Sequence, residues 1–154
     1  MRTLLTAALG LLALAACDTS TPDPTAASEV SLTTPTAWTL VAFSEADDFR
    51  PSTIAFADSN GTADTIWEGD VAGRAACNSY DGSFTTADPS GGEIGVIVDG
   101  ITEIACGDDP GALDYERDFV EALEAVMAFE LTADGRLTMT GADDLELVFE
   151  QAGE

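Results

Sequence analysis

From residue 38 onward, short apolar-rich runs, some alternating polar and apolar with a period of two, are separated by turn-forming residues. Trp38-Thr39-Leu40-Val41-Ala42-Phe43 and Thr53-Ile54-Ala55-Phe56 are the first two runs, and this patterning predicts strands. Further strands are predicted at Thr65–Gly73, Gly82–Thr86, Glu93–Val98, Phe129–Ala133, Arg136–Thr140 and Leu145–Gln151. Asp58-Ser59-Asn60-Gly61 and Asp134-Gly135 fit tight turns, because Asn-Gly and Asp-Gly readily take positive φ. One stretch breaks the pattern. Between Gly111 and Met127 the residues Leu113, Tyr115, Phe119, Val120, Leu123, Val126 and Met127 recur at helical spacing. Glu116, Asp118, Glu121 and Glu124 fall mainly on the other face. Pro110 suits a first turn, Asp109 can cap it, and early acids complement the helix dipole. The expectation is a mainly β fold with one amphipathic helix packed on a sheet through its Phe119–Leu123 side. No internal repeat of solenoid period is present.

Ahead of this domain lies a different pattern. Arg2 is followed by an apolar run from Leu4 to Ala15 and then by Ala16-Cys17. A basic start, an apolar stretch too short to span a bilayer and small residues before a cut are the layout of an export signal. A first core helix would carry a polar stripe, which this run lacks. Leu14-Ala15-Ala16-Cys17 resembles a bacterial lipobox, which implies removal of residues 1–16 and acylation of Cys17 with palmitate-like chains. Several acyl chains on one terminus anchor a protein stably in a bilayer. The expected address is the cell envelope, lipid-anchored on the extracytoplasmic face of a bacterial membrane. Asp18 resembles the residue that holds some enterobacterial lipoproteins at the inner membrane. Residues 17–36 are rich in Thr, Ser, Ala and Pro, with few large apolar side chains. They read as a disordered tether spanning roughly 25 Å, and the folded domain is expected over 37–152.

Composition narrows the function. Cleavage would leave 138 of 154 residues, enough for one core, with 29 acids against four arginines and neither lysine nor histidine. That balance excludes a duplex-binding role, which needs phosphates neutralised, and a polybasic grip on anionic lipid. Self-repulsion between such chains favours a monomer, and the charge argues first for solubility.

Two cysteines remain for the domain, Cys77 and Cys106. In an exported protein they are read first as a disulfide. Zinc needs more ligands, and a thioredoxin-like site needs Cys-x-x-Cys, so neither a metal nor another cofactor is expected.

The order of motifs resembles a META domain of the HslJ type, a bacterial heat-shock-associated lipoprotein family. The resemblance runs through Trp38 and Leu40, Phe56, and then Gly73, Cys77, Asn78, Tyr80, Gly82 and Phe84. It continues through Thr102, Ala105 and Cys106, then Glu116, Phe119 and Leu123, then Gly135-Arg136-Leu137-Thr138-Met139 and Leu145–Phe149. Two positions depart from the family pattern. Ala76 replaces a glycine before the cysteine, where a turn could need positive φ, and Ile104 replaces a methionine, a tolerable core swap. The resemblance implies an antiparallel barrel-like sheet carrying one helix. It also implies roles in envelope stress response or antibiotic tolerance, without an established reaction.

Candidate chemistry is sparse. Asn78 and Tyr80 are a candidate surface site, set against a turn asparagine bonding its own backbone and a tyrosine in the core. Asp58, Asn60 and Asp64 hint at a calcium loop, yet Ala63 and Gly69 stand where glycine and glutamate are required. Asp47/Asp48, Asp108/Asp109 and Asp143/Asp144 are adjacent acids of the kind an acidic composition produces, and catalytic carboxyls must instead face each other across a cleft. Without histidine the usual Ser-His or Cys-His activation is unavailable, so no catalytic residues are expected. The favoured reading is a non-enzymatic binding or scaffolding module with an unidentified envelope protein partner. Two alternatives stay open: an inhibitor module presenting Ser90-Gly91-Gly92 or Gly107–Pro110 to an envelope or secreted hydrolase, and an enzyme with an unusual site of two facing acids in a cleft.

Overall fold

The computed structural model describes residues 31–33, 37–46, 48–58 and 66–152. The expected signal segment, Cys17, most of the expected tether, Asp47, and the Ser59–Gly61 and Asp64 portion of the candidate calcium loop lie outside the described residues. The element order is β1 (Trp38–Phe43), β2 (Thr53–Asp58), β3 (Trp67–Ala75), β4 (Asn78–Thr86), β5 (Gly91–Ile101), α1 (Ala112–Ala125), β6 (Val126–Leu131), β7 (Arg136–Gly141) and β8 (Glu146–Gln151). Each strand pairs antiparallel with the next, and β8 returns to β1, so the sheet closes into a barrel. The fold is mainly β with one helix, as the patterning predicts. β4 begins at Asn78, ahead of the Gly82 expected. Its polar Asn78 is buried like Tyr80 and Phe84, so the inward row continues through a residue that hides the alternation.

Period-two patterning sorts most strands into an inward and an outward row, and bulges in β1 and β6 shift the phase there. Trp38, Ile54, Val71, Leu137, Met139, Leu147 and Phe149 are fully enclosed in one continuous core. The outward row carries Glu68, Asp70, Asp81, Glu130, Glu146 and Glu150. A membrane-spanning barrel wears an apolar band outside, so this barrel is built the other way round. Among the described residues no helix is long and apolar enough to cross a membrane.

The wall has a gap, and α1 fills it. β5 pairs with β6 only over Gly91–Glu93. Further along β5, the Glu124 carboxylate accepts the Val98 N–H at 3.1 Å. Phe119 and Leu123 of α1 are fully buried, and the Phe119 ring meets Phe43, Tyr80 and Tyr115. The helix therefore packs through the face expected, with three corrections. Glu116 is only 3% exposed, whereas Leu113 and Met127 are each 57% exposed. Met127 belongs to β6 rather than to the helix.

The helix start is fastened from outside. Gly111 is the N-cap and supplies no side chain. No side chain caps the first-turn amides, so Asp109 is not the cap expected; it accepts Gly111 N–H at 3.1 Å while its two oxygens accept from Nε and Nη2 of Arg50, each at 3.0 Å. Tyr115 shares its hydroxyl with Ser52 Oγ at 2.8 Å and donates to Arg50 O at 3.1 Å.

Packing among the described residues reaches back before Trp38, to Leu32. Leu32 is fully buried, its N–H donates to Pro89 O at 3.0 Å, and its carbonyl accepts from Trp38 Nε1. Leu32 thereby joins the barrel's core cluster.

Candidate binding groove

The site begins at the two-residue turn between β3 and β4. Ala75 pairs with Asn78, leaving Ala76 and Cys77 at the corner, and Ala76 has φ 48°. This is the left-handed conformation that glycine takes at no steric cost, so alanine at this position keeps the turn and strains it. The corner aims successive amide groups at one point, an arrangement that favours an anion. The chain supplies its own. Glu116 Oε1 accepts Cys77 N–H at 3.1 Å and Asn78 N–H at 2.9 Å, while Oε2 accepts Asn78 Nδ2 at 2.7 Å.

Asn78 relays this contact outward. Its Oδ1 accepts Ile104 N–H at 2.8 Å and Thr102 Oγ1–H at 2.9 Å, and its Nδ2 also reaches Ile104 O at 3.2 Å. Thr102 N–H donates to Ser79 O at 2.9 Å. Cys77 and Cys106 are joined by a disulfide with Cα atoms 5.6 Å apart. Residues 102–106 are thus stapled to the β3–β4 corner by one covalent bond and a satisfied polar network, and the same carboxylate ties that corner to α1. Cys77, Cys106 and Glu116 come within 4.8 Å of one another. With both sulfurs bonded to each other they are not thiolate ligands, and the cluster acts as a cross-link.

Asn78 and Tyr80 are therefore not the surface patch expected. They are 1% and 2% exposed. Asn78 bonds a neighbouring segment and a helix rather than its own turn. Tyr80 fills the core, donates to Thr53 O at 2.9 Å, and has its phenol pushed far above the usual range by burial. Ile104 is not a core residue either, being 61% exposed.

What the staple builds is a groove. The stapled segment and the outer face of α1 enclose about 610 Å³, within the size range of ligand sites. Its apolar lining is Ile101, Ile104, Leu113 and Val120, its rim carries Glu103, Glu121 and Arg117, and Asn78 and Glu116 close its floor. Arg117 is drawn to Asp114 and Asp118 at 3.1 and 3.2 Å. Among the described residues, neither Glu103 nor Glu121 has an ion-pair partner.

Sequence reasoning missed this feature, although one signal was available. Glu116 follows Ala112 by four positions and precedes Phe119 by three, which sets it on the apolar stripe. An acid on that stripe demands a buried partner. The adjacent acids do not form facing pairs: Asp143 and Asp144 make a positive-φ turn, and Asp109 is held by Arg50. Nor are the two glycine loops free. Gly91 and Gly92 lie in the β5–β6 ladder, Asp88 holds Ser90 through its amide and hydroxyl, and the Gly107–Pro110 loop is bounded by Cys106 and the Asp109 pair.

A family model for the META domain matches residues 30–154, the whole of this barrel, helix and staple. The chain belongs to the META-domain family. The match begins beside Leu32, in agreement with the buried position of that residue. A comparison with curated proteins finds no match. Among solved structures, the META domain described here is similar to "NMR structure of the protein from Burkholderia xenovorans", with TM-score 0.57 and 21% identity over 97% of this chain and 100% of that one. At that identity the likeness speaks for the META fold alone.

Proposed function

We propose that this META-domain protein is an envelope lipoprotein, acylated at Cys17, whose domain binds a partner rather than catalysing a reaction. The envelope stress and antibiotic tolerance roles expected of the family are the setting for that binding. The observation that carries the reading is the groove on a closed, cross-linked barrel. A rigid wall held by a disulfide suits an oxidising compartment and presents a preformed concave surface, which lowers the ordering cost of binding. Glu116 has both oxygens engaged by N–H groups and the chain has no histidine, which favours binding over acid–base chemistry.

Intact mass spectrometry of the full chain, expressed in a lipoprotein-processing bacterium, tests the anchor. The expected product starts at Cys17 and carries diacylglyceryl and acyl mass, and Cys17→Ser abolishes it. An unprocessed chain in the membrane fraction would overturn the address.

A further inference from the structure

We propose that the groove between residues 101–106 and α1 is a peptide site, selective for a short segment that alternates apolar and cationic side chains. The inference rests on the binding-module reading above and not on the lipid anchor. Ile104 and Leu113 are 61% and 57% exposed and face the same volume from opposite walls, with Ile101 and Val120 beside them. Apolar side chains gathered in a concave surface are the usual anchor points of an interface. Scattered ones such as Ile97, at 59%, need no such account.

The rim decides which partner fits. Glu103 and Glu121 stand beside the apolar lining with no ion-pair partner among the described residues, and Arg117 on the same rim is held by Asp114 and Asp118, on a chain of net charge −24. A lysine or arginine placed there gains a carboxylate neighbour, and the field of the whole molecule steers it in. A second copy of the chain would bring the same negative charge, and an anionic membrane surface would be repelled, so both fit worse. The wall also offers backbone. Thr102 and Ile104 direct their amides at Ser79 O and Asn78 Oδ1, whereas the intervening Glu103 and Ala105 amides meet no acceptor among the described residues. These are the donors an extended peptide could use, as in strand addition.

The test uses the full-length, disulfide-bonded chain and fluorescence polarisation of three labelled, end-blocked hexapeptides. One alternates leucine and lysine, one replaces leucine with asparagine, and one replaces lysine with asparagine. The leucine–lysine peptide is expected to bind saturably at low salt, at least tenfold more tightly than either relative. Ile104→Ser with Leu113→Ser is expected to weaken it at least tenfold, and Glu103→Gln with Glu121→Gln three- to tenfold. Ile97→Ser, equally apolar and exposed but outside the groove, is expected to stay within twofold. Since all of these positions are exposed, circular dichroism should show folded variants.

Equal binding of the asparagine–lysine peptide would reduce the effect to bulk charge and overturn the site. So would an unchanged affinity in the Ile104→Ser/Leu113→Ser protein. A dimer in sedimentation that this double variant dissociates would mean that a second copy fills the groove instead. None of these results touches the mass-spectrometric test of the anchor.

Discussion

Replacing Glu116 by glutamine changes no volume and removes one charge, so it isolates the carboxylate from its packing. The carboxylate is 3% exposed and receives three N–H groups. A glutamine oxygen at the Oε1 position still accepts Cys77 and Asn78 amides, as weaker neutral bonds. The glutamine nitrogen then faces Asn78 Nδ2 across 2.7 Å, donor against donor. Rotating Asn78 does not relieve this, because its amide nitrogen would meet Ile104 N–H and its oxygen would meet Ile104 O. Rotating the introduced glutamine points its NH2 at two backbone amides. One charge-assisted bond is lost and at least one buried donor is stranded, while the desolvation cost of the native charge is recovered in part. The net is a loss of about 2–4 kcal/mol. Urea unfolding at neutral pH with the disulfide intact measures it, and Tm should fall by roughly 10 °C. Glu121→Gln, an exposed acid on the same helix, is the control, expected within about 0.5 kcal/mol of the parent. Combining Glu116→Gln with Asn78→Ala should cost about 1 kcal/mol less than the two changes summed, because the facing donor is gone. A Glu116→Gln protein as stable as the parent would refute the claim that this carboxylate joins the turn to the helix.

Other expectations follow from the same geometry. Ala76→Gly relieves a left-handed alanine and should stabilise the protein by about 0.5–1 kcal/mol, read as a higher urea midpoint; a drop would show that the turn does not need positive φ. Serine at both Cys77 and Cys106 reopens a loop of 29-residue separation, and the chain-entropy model puts the cost at about 3–4 kcal/mol. In that variant, hydrogen exchange at Thr102 and Ile104 should speed up more than in the distant β7, and uniform protection would contradict the stapled wall. The Arg50 guanidinium, hydrogen-bonded to Asp109, holds that carboxyl below its ordinary value of 3.8, with help from Gly111 N–H. Its stabilising effect is therefore present above about pH 4 and lost as pH falls through the lowered folded value. Asp109→Asn should unfold at lower urea than the parent at pH 6, and the gap should close towards pH 2; a gap that persists would assign it to packing.

The strands were legible because most are two-sided, and a two-sided strand prints its period on the chain. Thr53–Phe56 shows that alternation within β2, whereas Trp38–Phe43, bounded as observed, is legible as an apolar run and bulges between Leu40 and Ala42; Phe119 and Leu123 mark the buried helix face equally well. Failures occurred where polarity and burial part company. Asn78 and Glu116 are polar and enclosed because each satisfies the other, a pairing 38 residues apart that no local window can see. Ile104 and Leu113 are apolar and exposed because they face each other over a groove whose walls meet only through tertiary contact. Leu32 was hidden by a composition that describes its neighbours better than itself. The cross-link was accessible from compartment and cysteine count, but its partner segment and the wall it creates were not.

Of the eight strands described, the one that completes the ring is also the last in the chain. Trp38 finds Gln151 and Phe43 finds Leu147, whereas on its other side β1 holds β2 through only two residue pairs, Trp38 with Ile54 and Thr39 with Thr53. A chain delivered from its N-terminus, by a ribosome or through a channel, must therefore keep β1 waiting until β8 is free. Contacts so distant in sequence form slowly, and the polypeptide stays threadable for most of its passage. Removing β8 would leave a sheet with two bare edges, each a template for another molecule's strand.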